Sequence, residues 1–156
     1  SCRGNCRTRG GLVPFFNDEL DPLKDFLMDI EHVALNVPDP VAAAAWYVRH
    51  LGLQVIRSLS EAPFTHFLAD SSRRVVVEMY ANTRAPVPDY AAMDPLVFHI
   101  AFVTADVRAD RERLLAAGAS SAGDLTITPA GDEMTFLRDP WGVPLQLVKR
   151  AVPLMG

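Results

Sequence analysis

Two blocks of this chain occur twice. The segment FLADSSRRVVVEMY, beginning at Phe67, resembles FLRDPWGVPLQLVK, beginning at Phe136, 69 residues further on. Earlier, HVALNVPDPVA from His32 aligns with HIAFVTADVRA from His99, 67 residues on. Two separate blocks repeating at almost one distance predict two copies of a single supersecondary unit, which constrains the architecture more than composition does.

Each half reads as βαβββ. The first strands, about 30–37 and 97–103, alternate on a period of two. Asp39-Pro40 and Asp106 supply helix N-caps, and Gly52 and Gly118 suit the helix ends. In the first helix Val41, Ala44, Ala45 and Val48 form an apolar stripe. The charges at Arg108, Asp110, Arg111, Glu112 and Arg113 mark the solvated face of the second, opposite Leu114 and Leu115. Shorter strands follow at about 53–59, 65–69 and 75–80, then at 121–128, 133–137 and 143–149. The expected fold class is α+β, with two βαβββ modules curling into one open, concave, eight-stranded barrel-like sheet. With 156 residues, 49% of them hydrophobic, the chain can bury a sizeable core without disulfide or structural metal.

Side chains two apart on a strand share a face. His32, Ala34 and Asn36 share one face of the first strand, and His99, Ala101 and Val103 share the equivalent face. On the last strand of each half, Glu78 lies with Val76 and Tyr80, and Gln146 with Pro144 and Val148. A carboxylate amid VVVEMY is expensive to bury unless paired, protonated or bound to a cation. Glu78 and Gln146 are 68 residues apart, so they are equivalent, as the two histidines are. A lone His in an apolar strand is usually a satisfied core or surface residue, and Gln146 alone means little. The four positions together point to one site: two imidazoles, a carboxylate and an amide oxygen suit Fe, Mn, Co, Ni or Zn as divalent ions.

Through IEHVALNVPDP, VVVEMY, FHIAFV and FLRDPWGVPLQLVKR, residues 29–150 resemble the vicinal oxygen chelate superfamily. That superfamily includes glyoxalase I, methylmalonyl-CoA epimerase, extradiol dioxygenases and the fosfomycin or bleomycin resistance proteins. The resemblance implies paired modules around a metal held by His32, Glu78, His99 and Gln146, a small oxygen-rich substrate chelated through vicinal oxygens, and a homodimer. It implies isomerase/lyase or oxygenase chemistry, with Glu78 as the catalytic proton carrier. The alternative is a non-catalytic, drug-sequestering protein of the bleomycin resistance kind. Glyoxalase I, the epimerase and the dioxygenases usually carry a carboxylate on the final strand, where this chain has Gln146. Two imidazoles, one carboxylate and one amide leave a divalent site at a net +1, a stronger Lewis acid suited to enolate or catecholate oxygen.

Asn36, His66 and Tyr80 are weaker candidates for the substrate pocket. Trp46 and Trp141 read as packing and turn residues, and His50 as a partner of a helix C-terminus. Cys2 and Cys6 stand in a Gly- and Arg-rich stretch with no further cysteine to complete a thiolate zinc site.

The net charge is −4, and Arg3, Arg7 and Arg9 mask a more acidic body, a poor match to nucleic acid. No apolar run approaches a membrane span and no secretory signal opens the chain, so the expected compartment is the cytoplasm. The expected organisation is a flexible extension over 1–28, a domain over 29–150 with modules at about 29–82 and 95–150, and a tail over 151–156. A short helix at about 20–27 could pack on the body.

Overall fold

The computed structural model describes residues 28–73 and 76–154. The expectations for Cys2, Cys6, the extension and the helix at 20–27 lie outside the described residues. The first unit runs β1 (Val33–Asn36), α1 (Pro40–Leu51), β2 (Gln54–Ser58), β3 (His66–Ala69) and β4 (Val76–Tyr80). The second runs β5 (Ile100–Val103), α2 (Val107–Ala116), β6 (Ser120–Ser121), β7 (Thr126–Ile127), β8 (Glu133–Arg138) and β9 (Pro144–Lys149). The strand expected at 121–128 is thus two short ones, both pairing with β8. Among the described residues no helix is long and apolar enough to cross a membrane.

The two sheets share one topology. Their orders are β1-β4-β3-β2 and β5-β9-β8-β6. In each, the first strand runs parallel to the last, because the helix crossover returns the chain in the same direction. The register preserves the repeat. Glu78 sits between Ala34 of β1 and Phe67 of β3, and Gln146 between Ala101 of β5 and Phe136 of β8.

Local capping follows the sequence. Asp39 accepts a hydrogen bond from the Ala42 amide at 2.9 Å, and Asp106 from the Ala109 amide at 3.0 Å. Gly52 ends α1 at φ +74°, a left-handed conformation that glycine adopts without a Cβ penalty. The second helix stops one residue earlier than expected, with Ala117 as its C-cap. The apolar stripe of α1 is also rotated from the expected one. Val41 and Val48 are exposed, and the buried set is Pro40, Ala43, Ala44, Trp46 and Tyr47. Alanines occupy both faces of this helix, so their spacing cannot choose between them; the two large aromatic rings, with more area to bury, decide.

One core serves both units. Leu35, Tyr47, Val77 and Met79 belong to the same cluster as Leu114, Leu137, Leu145 and Leu147. It lies on the helix-bearing sides of the sheets, and polar contacts tie the units across it. Trp46 Nε1 donates to the Ala117 carbonyl at 2.8 Å, and Arg113 donates to the His50 carbonyl at 2.7 Å. The Tyr47 hydroxyl, fully buried, donates to Asp139 at 3.0 Å. Asp139 also accepts from the Trp141 and Val143 amides at 2.9 and 2.8 Å, forming the β8–β9 turn. Its counterpart Asp70 accepts from Ser72 and Arg73 at the β3–β4 turn, so the repeated aspartate is a turn device in both halves.

Candidate metal and substrate site

Both histidines stand immediately before the first strand of their unit, His32 ahead of β1 and His99 ahead of β5. Their surroundings repeat as well. The His32 ring meets Phe67 edge-on at 5.9 Å, and the His99 ring meets Phe136 edge-on at 5.3 Å. These phenylalanines are the register partners of Glu78 and Gln146. Each unit therefore builds one imidazole, one phenyl ring and one polar side chain onto one sheet face.

In both units an oxygen engages the imidazole Nδ1. His32 Nδ1 bonds the Glu31 carboxylate, and His99 Nδ1 donates to the Pro95 carbonyl at 2.7 Å. That leaves Nε2 as the outward nitrogen in each case. His32 Nε2 faces the Glu78 carboxylate at 3.2 Å. The Glu31 hydrogen bond, reinforced by the charges of Glu31 and Glu78, raises the His32 pKa above its ordinary value against the opposing effect of burial. The Gln146 side chain is buried, and its Nε2 contacts Met134 Sδ at 3.6 Å.

Of the four expected ligands, the structure brings His32 together with Glu78 in one sheet and places His99 and Gln146 in the other. Among the described residues no group of three or more His, Cys, Asp or Glu side chains is close enough to hold a metal ion. The donor types nevertheless suit a divalent ion of the borderline class. They stand as two pairs, one in each sheet, and the faces that carry them are part open and part covered: Ala34, Ala101 and Val103 are exposed, while Gln146 and Val148 are buried. A hollow of about 480 Å³ on the second face is lined by Ala101, Val103, Thr104, Val148 and Leu154, among others.

The weaker candidates fall elsewhere. Asn36 is buried and its amide is spent on the loop after β4. It donates to the carbonyls of Asn82 and Ala85, both at 3.1 Å, and accepts from the Asn82 amide at 2.9 Å. His66 pairs in register with Met79, which puts it on the sheet face opposite Glu78, where its Nδ1 meets the Phe64 carbonyl at 2.7 Å. Tyr80 shares the Glu78 face and is half-buried at the end of β4. Sequence reasoning overlooked Glu31, Pro95 and the two phenylalanines. The phenylalanines were visible as the first residues of the repeated blocks; Glu31 adjoins His32, but Pro95 reaches His99 only through the fold of the preceding loop.

The sequence pattern of the Glyoxalase/Bleomycin resistance protein/Dioxygenase superfamily matches residues 29–147. No curated protein matches the chain. Among solved structures, a member of that superfamily from Sphaerobacter thermophilus is similar at a TM-score of 0.64 and 17% identity, covering 80% of this chain and 99% of the other. A glyoxalase-related enzyme from Fulvimarina pelagi is similar at 0.65 and 19% identity, covering 83% and 94%. An antibiotic binding protein from Streptomyces sp. CB03234 is similar at 0.61 and 18% identity, covering 80% and 98%. At these identities the likeness is one of fold, and the fold serves catalysts and binders alike.

Proposed function

The chain belongs to the Glyoxalase/Bleomycin resistance protein/Dioxygenase superfamily, and from that premise we propose that it is a metal-dependent enzyme acting on a small oxygen-rich substrate. The observation that carries the proposal is the paired treatment of the histidines. Both have Nδ1 tied to an oxygen and a phenyl ring against one side, at repeat-equivalent positions. Orientation by an oxygen on the far nitrogen is what a ligating imidazole needs.

In this reading His32 and Glu78 of one copy join His99 and Gln146 of a second copy, so the working unit is a homodimer. Strands β1 and β5 are both sheet edges. Val33 and Val103 on them are exposed, Val103 at 80%. Exposed apolar edges favour pairing with another chain, and a twofold pairing of one copy's β1 with the other's β5 completes two identical sites. A divalent ion supplies Lewis acidity toward adjacent substrate oxygens. Glu78 carries the proton, since its carboxylate faces His32 Nε2 while the Glu31 carboxylate is engaged with Nδ1. Gln146 holds its amide oxygen toward the site as a weak, neutral donor. Phe67 and Phe136 pack edge-on against the imidazoles and help to hold their orientation.

A second reading, a non-catalytic binder that sequesters an organic molecule, has its own support. The His32–Glu78 pair and the Gln146–Met134 contact satisfy these side chains without an ion. Metal analysis of protein purified without chelator, paired with a thermal-shift screen, separates the two. Stoichiometric metal that disappears in His99→Ala, with stabilisation by Ni(II), Mn(II) or Fe(II), is the expected outcome. Stabilisation by organic ligands alone, with no bound ion, overturns the metal reading in favour of the binder.

A further inference from the structure

We infer that Arg138 is a positioning residue for His99, acting through the linker that joins the two units. The inference rests on the reading of His99 as a ligand, but its structural basis is independent of any ion. Between β4 and β5 the chain crosses about 19 residues without regular secondary structure, longer than most loops in compact domains. Something must hold such a segment if the carbonyl it offers to His99 is to stay in place.

Arg138, at the end of β8, does this. One guanidinium nitrogen, Nη1, donates to the Tyr90 carbonyl at 2.7 Å, and the other, Nη2, donates to the Met93 carbonyl at 2.8 Å. Among the described residues Arg138 has no carboxylate partner, so its fork is committed to backbone carbonyls. The Gly142 carbonyl is a third, more distant acceptor at 3.4 Å. Two residues beyond Met93 lies Pro95, whose carbonyl accepts the His99 Nδ1 proton at 2.7 Å. In between, the Val97 amide donates to the Asp94 carbonyl at 2.9 Å and the Leu96 amide to the Asp94 side chain at 2.8 Å, making a tight turn. Fixing the carbonyls of residues 90 and 93 therefore fixes the 95 carbonyl, which selects the Nδ1–H tautomer and frees Nε2. Lysine cannot reproduce this, because a single ammonium is a point donor rather than a planar fork.

The test is ¹⁵N NMR of the imidazole nitrogens in the full, metal-free chain, at about pH 8, where an ordinary histidine is neutral. His99 is expected as the Nδ1–H tautomer in the wild-type protein. In Arg138→Met a substantial Nε2–H population should appear, and in Arg138→Lys a smaller one, with His32 unchanged as an internal control. If Arg138→Met does not fold, the lysine variant decides alone: a detectable Nε2–H population supports the inference and its absence overturns it. A folded Arg138→Met with His99 still wholly Nδ1–H, or a wild-type His99 that is not Nδ1–H, also overturns it. A parallel Ni(II) titration tests the underlying reading separately, with about a tenfold weakening expected in Arg138→Met. Failure of the wild-type protein to bind Ni(II) removes the ligand reading but leaves the tautomer result to decide the role of Arg138.

Discussion

Tyr47 and Asp139 show how one buried contact can join two halves of a chain. The phenol is buried and its ionisation is pushed well above the ordinary tyrosine range, first by burial and then by the neighbouring carboxylate. Removing its hydroxyl leaves the Asp139 carboxylate oxygen without that donor in a site from which water is excluded. Tyr47→Phe should therefore cost about 1–3 kcal/mol of unfolding free energy, measured by urea denaturation, with little change in far-UV circular dichroism. Burial raises the Asp139 pKa despite the opposing hydrogen bonds.

Asp110 is shifted the other way. The Thr104 hydroxyl, and then Arg113, hold it below the ordinary carboxylate value of 3.8. A depressed folded pKa contributes stability that is present above 3.8 and lost as the pH falls through the folded value. Asp110→Asn should flatten the acid limb of the stability curve below about pH 4, with little change in its shape at neutral pH. Unchanged acid sensitivity in that variant would contradict the assignment. At this scale the placing of His32 with Glu78, and of His99 with Gln146, on one face of each sheet was legible, because the strand period puts repeat-equivalent polar residues on one face. Their orienting partners were less so: a hydrogen bond from His99 to Pro95 depends on a loop shape that no periodicity encodes.

Among the elements, the β8–β9 turn has a tight fit against the linker. Gly142 adopts φ +87°, and a Cβ there would lie 2.9 Å from the Ala91 amide nitrogen and 3.1 Å from the Ala91 Cβ. Backbone on the far side of the contact can yield only by moving the linker. Gly142→Ala should destabilise the protein by about 1–3 kcal/mol through strain alone, and displace the segment that Arg138 holds. Chemical denaturation gives the first effect, and amide chemical shifts at residues 90–95 the second. The order of strands and helices was readable from the repeat. The burial face of α1 was not, since a helix rich in alanine offers several equivalent stripes until Trp46 and Tyr47 meet the second unit. Nor was the split of the strand expected at 121–128, whose two short pieces pair with β8 on either side of Gly123 and Asp124.

For the whole molecule, the open question at the level of sequence was whether the paired modules curl around their ligands within one chain. The core answers part of it. It joins the units through their helix-bearing sides and leaves β1 and β5 as sheet edges, with Val33 and Val103 exposed on them. Val103→Glu places a charge on the exposed edge of β5 and should weaken self-association by about tenfold or more, equivalent to about 1.4 kcal/mol. Sedimentation equilibrium measures the association; in the proposed assembly, metal stoichiometry falls with it. A monomeric wild-type protein carrying a full complement of metal would refute the shared site. Interdigitation of the units was invisible in the sequence, because each repeat carries an apolar helix side that could equally have faced solvent-exposed partners or its twin.

The single core has a further consequence for such an assembly. Each chain would lend its first half to one centre and its second half to the other, and the material between those halves is the packed interior around Tyr47, Leu114 and Leu145. Occupation of one centre would then be felt at the other as a mechanical load carried through a solid body, with the Tyr47–Asp139 bond among its struts. The two centres would answer to each other, and a titration of one pair of ligands would be a measurement of the stiffness between them.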